Sequence, residues 1–457
     1  MFFRHLGNVL TGRKFRLYPT AKQAQVFSQW IGCQRVIRNA KVEETRLNAW
    51  LRRASMFSDR PGDEDAAKTF DQAYSHFATE QNPWLREVPS QILRNGIYRA
   101  KTAFVRFWKG EAKPPVFHGK QAEESVLLTG ELFSIEDGKL LVGTHRTPLG
   151  EVRWKAHRAF QAPKMLTITR CGDGAWFASF SCEDGTALPS SEELLVQHAF
   201  APEASVLAFD RGVVHPLADS EGNFHDLEPK RRKRLETIQR RKEALQRKLA
   251  RQKKGSAARR KTKKRLARAE RKRRNQLTDW RHQTTARIAG GGHSVLVLEA
   301  LKLASMTKAV EPKPNPAASA PGQPSFLPNG ASAKSGLNRA LLQVGLGEIR
   351  SLLEYKARRT GKAVLLVSPQ FSSQECSKCA HTSPDNRPTQ AEFHCRACGF
   401  EAHADYNAAV VLRKRGHALL QSHRPMGTKG RKTPARKRPA PLSNRKPPPQ
   451  RSGAGGR

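Results

Sequence analysis

Residues 12–20, GRKFRLYPT, alternate apolar and polar side chains and stop at Tyr18-Pro19-Thr20, which predicts a short strand. The period then changes. AKQAQVFSQWIGCQRVIRNAKVEETRLNAWL carries apolar residues at helical spacing, and PSQILRNGIYRAKTAFVRFWKG puts Ile92, Leu93, Ile97, Ala100, Phe104 and Phe107 on one helical face before Gly110. Residues 20–110 therefore read as a helical unit. From Pro114 to about Phe200 the pattern becomes short apolar runs such as VLLTG, LFSIEDGKLLVG and MLTITRCGDGAWFASF, punctuated by Asp-Gly turns. This is the signature of a β-rich domain, a small barrel. The early strand can join its sheet, which leaves the helices as an insertion.

Beyond residue 200 the apolar runs are continuous, as in buried strands. ASVLAFD ends at Asp210 and a second strand-like run closes at Ser220-Glu221-Gly222, which predicts a hairpin edge presenting one carboxylate. The next sixty residues predict two helices hinged near Gly255, with Leu235, Ile238, Leu245 and Leu249, then Leu266, Leu277 and Trp280, as their apolar positions. HSVLVLE is a further strand ending in Glu299, and residues 310–335 form a Pro/Ala/Ser/Gly stretch without a foldable pattern. LNRALLQVGLGEIRSLLEYKARRTG then predicts one amphipathic helix, KAVLLVSP a strand, and ADYNAAVVLRKRGHALL a last helix.

Composition narrows the partners. A chain of 457 residues exceeds one core and implies two to four domains. Its 82 Lys and Arg against 40 Asp and Glu, a formal +42, imply a polyanion partner, with nucleic acid foremost. The predicted helix pair alone holds roughly two dozen cations, more than a solvated face needs. No apolar run is long enough to span a bilayer and MFFRHLGNVLTGRK lacks a signal-peptide pattern, so the expected location is cytoplasmic, on the bacterial nucleoid, with no membrane partner. The stretch from Arg424 onward has no acid and no core pattern, and reads as a disordered tail that adds non-specific affinity.

The candidate chemistry has two parts. Cys376 and Cys379, then Cys395 and Cys398, form CSKC and CRAC knuckles fifteen residues apart, the spacing of a closed four-thiolate structural Zn²⁺ site. Two disulfides or four free thiols are the plainer alternatives, and His394 is a further possible ligand. Cys33, Cys171 and Cys182 are left for packing in a reducing compartment. The second part is a set of acids: Asp210 and Glu299 end apolar strands and Asp405 opens a helix. Carboxylates ending buried strands need a cation or donors, and several on one rim can bind a pair of Mg²⁺ or Mn²⁺ ions for phosphodiester hydrolysis. Asp405 alone can equally be a helix cap. His215, His394 and His403 read as structural or supporting groups. A phosphate-binding GxxxxGK[ST] loop is absent, and Gly290–Gly292 read as a turn.

In chain order, FDRGV, VLEAL, CSKC, CRAC and ADYNAA, with KFRLYPT, VPSQILRNGIYRAKTAF, PPVFHGK, LNRA and EYKARRTGK around them, resemble the TnpB family of insertion-sequence proteins related to type V CRISPR effectors. The resemblance covers most of residues 12–415. It implies a multidomain α/β and α+β chain: an RNase H-like RuvC nuclease domain with an inserted zinc ribbon, plus a β-barrel wedge domain with a helical recognition insert. In this sequence those units fall at 1–19 and 111–200 (wedge), 20–110 (helical insert), 201–370 (RuvC, with the basic helix pair 229–289 and linker 310–335), 371–401 (ribbon), 402–420 (final RuvC helix) and 421–457 (tail). The resemblance further implies Asp210, Glu299 and Asp405 as catalytic Mg²⁺ ligands. It also implies a guide RNA from the transposon end and cleavage of double-stranded DNA beside a short adjacent motif. Arg211 and His215-Pro216 depart from the family pattern. A nuclease-inactive RNA-guided regulator and a transposase acting by direct strand transfer are the alternative readings.

Overall fold

A computed structural model describes residues 10–53, 70–120, 124–183, 185–316 and 325–424. Of the tail expected beyond residue 420, positions 425–457 lie outside the described residues.

The amino-terminal half runs β1 (Leu10–Tyr18), α1 (Ala21–Arg53), α2 (Ser90–Trp108), β2 (Glu124–Thr129), β3 (Phe133–Glu136), β4 (Lys139–Gly143), β5 (Pro148–Lys155), β6 (Pro163–Arg170) and β7 (Trp176–Glu183). The strands form one antiparallel sheet in the order β2-β6-β7-β1-β5-β4-β3, so β1 lies at its centre despite being separated from the rest in sequence. Residues 130–132 alone join the two edge strands, β2 and β3. A flat sheet of seven strands would be about 29 Å wide, whereas four Cα steps reach about 15 Å. The sheet therefore curls toward closure. Helices α1 and α2 share its core, where Phe27, Ile92 and Ile97 meet Phe15, Val126 and Leu128. Gln34 of α1 accepts the Leu127 N–H at 2.8 Å and donates to the Leu127 carbonyl at 3.1 Å. It thus serves edge strand β2 as a further strand would.

The second half runs α3 (Ser191–Gln197), β8 (Val206–Asp210), β9 (Ala218–Asp219), α4 (Pro229–Arg251), α5 (Ala257–Gly290), β10 (Val295–Glu299), α6 (Leu303–Met306), β11 (Lys313–Pro314), β12 (Phe326–Leu327), α7 (Ala331–Val344), α8 (Leu346–Arg359), β13 (Ala363–Val367), β14 (Glu392–His394), β15 (Glu401–His403) and α9 (Ala404–Gln421). A sheet of order β13-β10-β8-β9 has its first three strands parallel and is covered on both faces, as parallel sheets require. Val206, Ala208, Val295 and Val297 face α9 through Leu412 and Leu420. The alternate residues Leu207, Phe209, Leu296 and Leu298 face Trp280 and Ile288 of α5 and Ile349 and Leu353 of α8. Gly416 permits the close approach of α9, since a Cβ there would sit 2.4 Å from Val297 Cγ2.

Three elements differ from the sequence-based expectation. The hairpin after Asp210 has only two residues in its second strand, β9, because Pro216 has no N–H to pair and the Gly212 N–H closes on the His215 carbonyl at 3.1 Å. The single helix expected over residues 337–361 is two helices, broken at Gly345 with φ +74°. Arg281 of α5 caps that break, donating to the carbonyls of Val344 at 2.9 Å and Gln343 at 2.6 Å, and so satisfies acceptors at the end of α7. Within the stretch 310–335, Lys313–Pro314 pair with Phe326–Leu327 and α7 already begins at Ala331, while 317–324 lie outside the described residues.

Candidate active site

Parallel pairing of β8 with β10 puts Phe209 opposite Leu298, so Asp210 and Glu299 follow side by side at the carboxyl ends of their strands. Ligand sites of open α/β sheets form on that rim. Asp405, in the first turn of α9, joins them. Its charge raises the proton affinity of both strand carboxyls. Burial first, then Glu299 and Asp405, push Asp210 up to about 8. Burial likewise raises Glu299, which is 5% exposed, with Arg211 opposing and Asp405 adding to the rise. The three predicted acids thus lie close enough for their charges to act on one another at one rim.

Two arginines offset this charge. Arg211 is buried; its backbone N–H donates to Glu299 Oε2 at 3.3 Å, and its guanidinium bonds the Glu299 and Leu346 carbonyls. The departure from the family pattern at this position is therefore a buttress that ties the end of β10 to the start of α8. Arg387 reaches Asp405 Oδ1 at 3.4 Å from the cysteine-rich segment, a contact that residue spacing gave no means of finding. The capping role considered for Asp405 belongs to His403, whose Nδ1 accepts the Asp405 N–H at 3.2 Å.

The four cysteines of the two knuckles meet. Their Sγ atoms lie within 4.8 Å of one another, with Cys376–Cys398 at 3.7 Å and Cys379–Cys395 at 3.5 Å. Disulfide sulfurs are about 2.05 Å apart, whereas a tetrahedral ion with bonds of about 2.3 Å separates thiolates by about 3.8 Å. The donor set therefore fits structural Zn²⁺ and excludes disulfides. The knuckles also repeat one backbone design. Cys376 N–H donates to the His381 carbonyl as Cys395 N–H does to that of Phe400, and Ala380 (φ +62°) occupies the left-handed position that Gly399 (φ +67°) takes in the second. His394 turns away to Glu401 at 2.7 Å. Among the three remaining cysteines, Cys33 and Cys182 are buried in the amino-terminal core.

Helices α4 and α5 carry a dense run of cations and turn at Gly255, φ +85°. Arg271 of α5 grips Asp173 in the β6–β7 turn through Nε at 2.9 Å and Nη2 at 2.6 Å, fixing the helix pair against the curled sheet. Between them lies a cleft lined by Lys14, Arg16, Lys155, His157, Arg271 and Arg274.

Two proteins named "Putative RNA-guided DNA endonuclease" match across most of their length. InsQ of Escherichia coli K12 is 30% identical over 357 residues, 76% of this chain and 81% of that one. The protein of Streptomyces pristinaespiralis is 28% identical over 403 residues, 87% of each. The chain belongs to the TnpB family. Family profiles divide this TnpB chain into a "Helix-turn-helix domain" at residues 8–44, a "Probable transposase" at 191–310 and a "Cas12f1-like, TNB domain" at 347–412. The first of these falls on β1 and the uninterrupted α1, so in this TnpB protein the described part of that region is a strand and one helix. The fold is shared with Cas12f1 in a complex with single-guide RNA and target DNA, at a TM-score of 0.52 and 12% identity, over 86% of this chain and 83% of that one. No helix among the described residues is long and apolar enough to cross a membrane.

Proposed function

We propose that this protein is an RNA-guided, divalent-metal-dependent DNA endonuclease. It cuts double-stranded target DNA beside a short transposon-adjacent motif, directed by a guide RNA from the end of its own element. The observation that carries the proposal is the meeting of Asp210, Glu299 and Asp405 on one rim, where burial and mutual repulsion hold Asp210 at about 8. Such a set of hard oxygen donors fits Mg²⁺ or Mn²⁺, and the names of the two full-length relatives support the same reading.

In this mechanism Asp210, Glu299 and Asp405 hold the metal ions. When bound, these supply an activated water and stabilise the departing phosphate oxygen. Arg211 keeps the Glu299 end of β10 in place through its backbone contacts. Arg387 holds Asp405 from the ribbon side, and the ribbon with its structural Zn²⁺ braces α9. Helices α4 and α5 and the basic cleft contact backbone phosphates of guide and target. The curled sheet acts as the wedge and α1 and α2 as the recognition insert, gripping guide and adjacent motif. Base pairing in the heteroduplex then reads the sequence.

The test is co-expression with the flanking element, sequencing of the bound RNA, and cleavage of matched DNA over a randomised adjacent motif with Mg²⁺. Cutting should need the match, the motif and Asp210, and Asp210→Ala should lose cutting while keeping RNA. Guided binding without cutting would instead assign a regulator, and strand-transfer products a transposase.

A further inference from the structure

The nuclease reading leaves His215 without a role. It lies in the turn after β8 that departs from the family pattern, and its ring meets that of His403 with centroids 5.5 Å apart and planes at 77°. Phe224 packs on both rings, 4.5 Å from His215 and 4.8 Å from His403, which restricts their motion. A ring nitrogen of each histidine and a carboxylate oxygen of Asp405 lie within 4.8 Å of one another.

His215 is already oriented as a ligand would be. His215 Nδ1 faces Asp226 Oδ2 at 3.0 Å. A carboxylate at one ring nitrogen fixes the tautomer and raises the basicity of the other, the usual support of a metal-bound imidazole. Asp226 is itself anchored, its backbone carbonyl accepting from Trp280 Nε1 at 3.2 Å, and its Oδ1 is buried without a hydrogen-bond partner. His403 Nδ1 accepts the Asp405 N–H at 3.2 Å, so its lone pair points at the start of α9. An ion there would exchange one long hydrogen bond for a coordinate bond. Bonds of about 2.1 Å bring tetrahedral ligands to about 3.4 Å of each other, so the three groups need to close by at most about 1.4 Å.

We propose that His215, His403 and Asp405 form a divalent transition-metal site, separate from the three-carboxylate rim but sharing Asp405 with it. Two imidazoles and one carboxylate favour Zn²⁺ or Co²⁺ over Mg²⁺, which takes oxygen ligands. Because Asp405 is common to both donor sets, occupancy of the histidine site withdraws a ligand from the rim. Zn²⁺ then opposes cutting supported by Mg²⁺. That consequence rests on the nuclease reading; the site itself does not.

The site is tested on the full chain, free of any histidine tag, with Zn²⁺ in the ribbon and neither Mg²⁺ nor nucleic acid present. Titration with Co²⁺ should fill one site with visible d–d absorption, which His215→Ala loses while the ribbon zinc content stays the same. Asp226→Asn should weaken Co²⁺ binding about 10–100-fold, and it carries the test if His215→Ala does not fold. Absence of this Co²⁺ site in the wild type, or wild-type Co²⁺ binding in both variants, would overturn the proposal and leave the nuclease reading untouched. In the RNA-loaded complex, micromolar Zn²⁺ should raise the Mg²⁺ requirement for cutting in the wild type more than in His215→Ala, each compared with its own zinc-free reaction. An equal effect in both would overturn the shared role of Asp405. Normal Co²⁺ binding by a protein that never cuts would count against the nuclease reading alone.

Discussion

The Asn407 side chain joins the helix that bears Asp405 to the first cysteine knuckle: its Oδ1 accepts the Ser377 N–H at 2.9 Å and its Nδ2 donates to the Glu375 carbonyl at 2.8 Å. Asn407 is fully buried, so these bonds have no water to replace them. Asn407→Ala leaves the buried Ser377 N–H and the part-buried Glu375 carbonyl without this partner, and should destabilise the fold by about 1–3 kcal/mol. Denaturant unfolding checks this. A loss below about 0.5 kcal/mol would mean that the knuckle and α9 are held together elsewhere.

Ribbon metal is expected to matter at the acids as well as at the cysteines. Cys376→Ser should lower both zinc content and melting temperature, since ligand loss removes binding energy that is also folding energy. It should also reduce Mg²⁺-dependent cutting, because Asn407 and Arg387 link the ribbon to the Asp405 helix. Unchanged melting and zinc content would remove the structural-zinc assignment.

Asp210 gives a pH signature. Its carboxyl is raised from 3.8 to about 8 by burial and by Glu299 and Asp405. Between those values the folded state keeps a proton that the unfolded state releases, so in divalent-free buffer stability falls as pH rises from about 4 to about 8. Asp210→Asn removes the group. It should flatten that slope and stabilise the protein at pH 8, on the order of 1–3 kcal/mol, while abolishing cutting. Identical pH–stability curves for variant and wild type would show that Asp210 ionises as an ordinary acid.

Gly345 separates α7 from α8 in the left-handed region, where a Cβ would lie 2.6 Å from Arg281 Cζ. That guanidinium is held by the Val344 and Gln343 carbonyls and by Glu348 at 2.5 Å. Gly345→Ala should therefore cost at least about 1–2 kcal/mol from backbone strain alone, read as a lower unfolding midpoint. Gly336→Ala, inside α7 with open space around its Cα, should instead stabilise by up to about 1 kcal/mol.

Much of this protein follows from local pattern. The four cysteines are recognisable because a closed thiolate shell needs ligands in pairs at short spacing, and their sulfurs do converge. Buried strands announce themselves as apolar runs, so Asp210 and Glu299 stand out as charges ending β8 and β10. The two basic helices and their turn at Gly255 follow from periodicity and glycine alone. What pattern could not supply were relations between segments far apart in the chain. The break at Gly345 sits inside an apolar period that continues across it, and the capping Arg281 comes from another helix. Arg387 and Asn407 look like ordinary polar residues until folding sets them against Asp405 and Ser377. The same holds for His215 and His403, far apart in sequence, whose rings meet because β8 and α9 pack together. Residue types and spacings determined which chemistry the chain carries; the tertiary structure decided which groups share charge, because burial and electrostatic repulsion act through distance in space and not along the sequence.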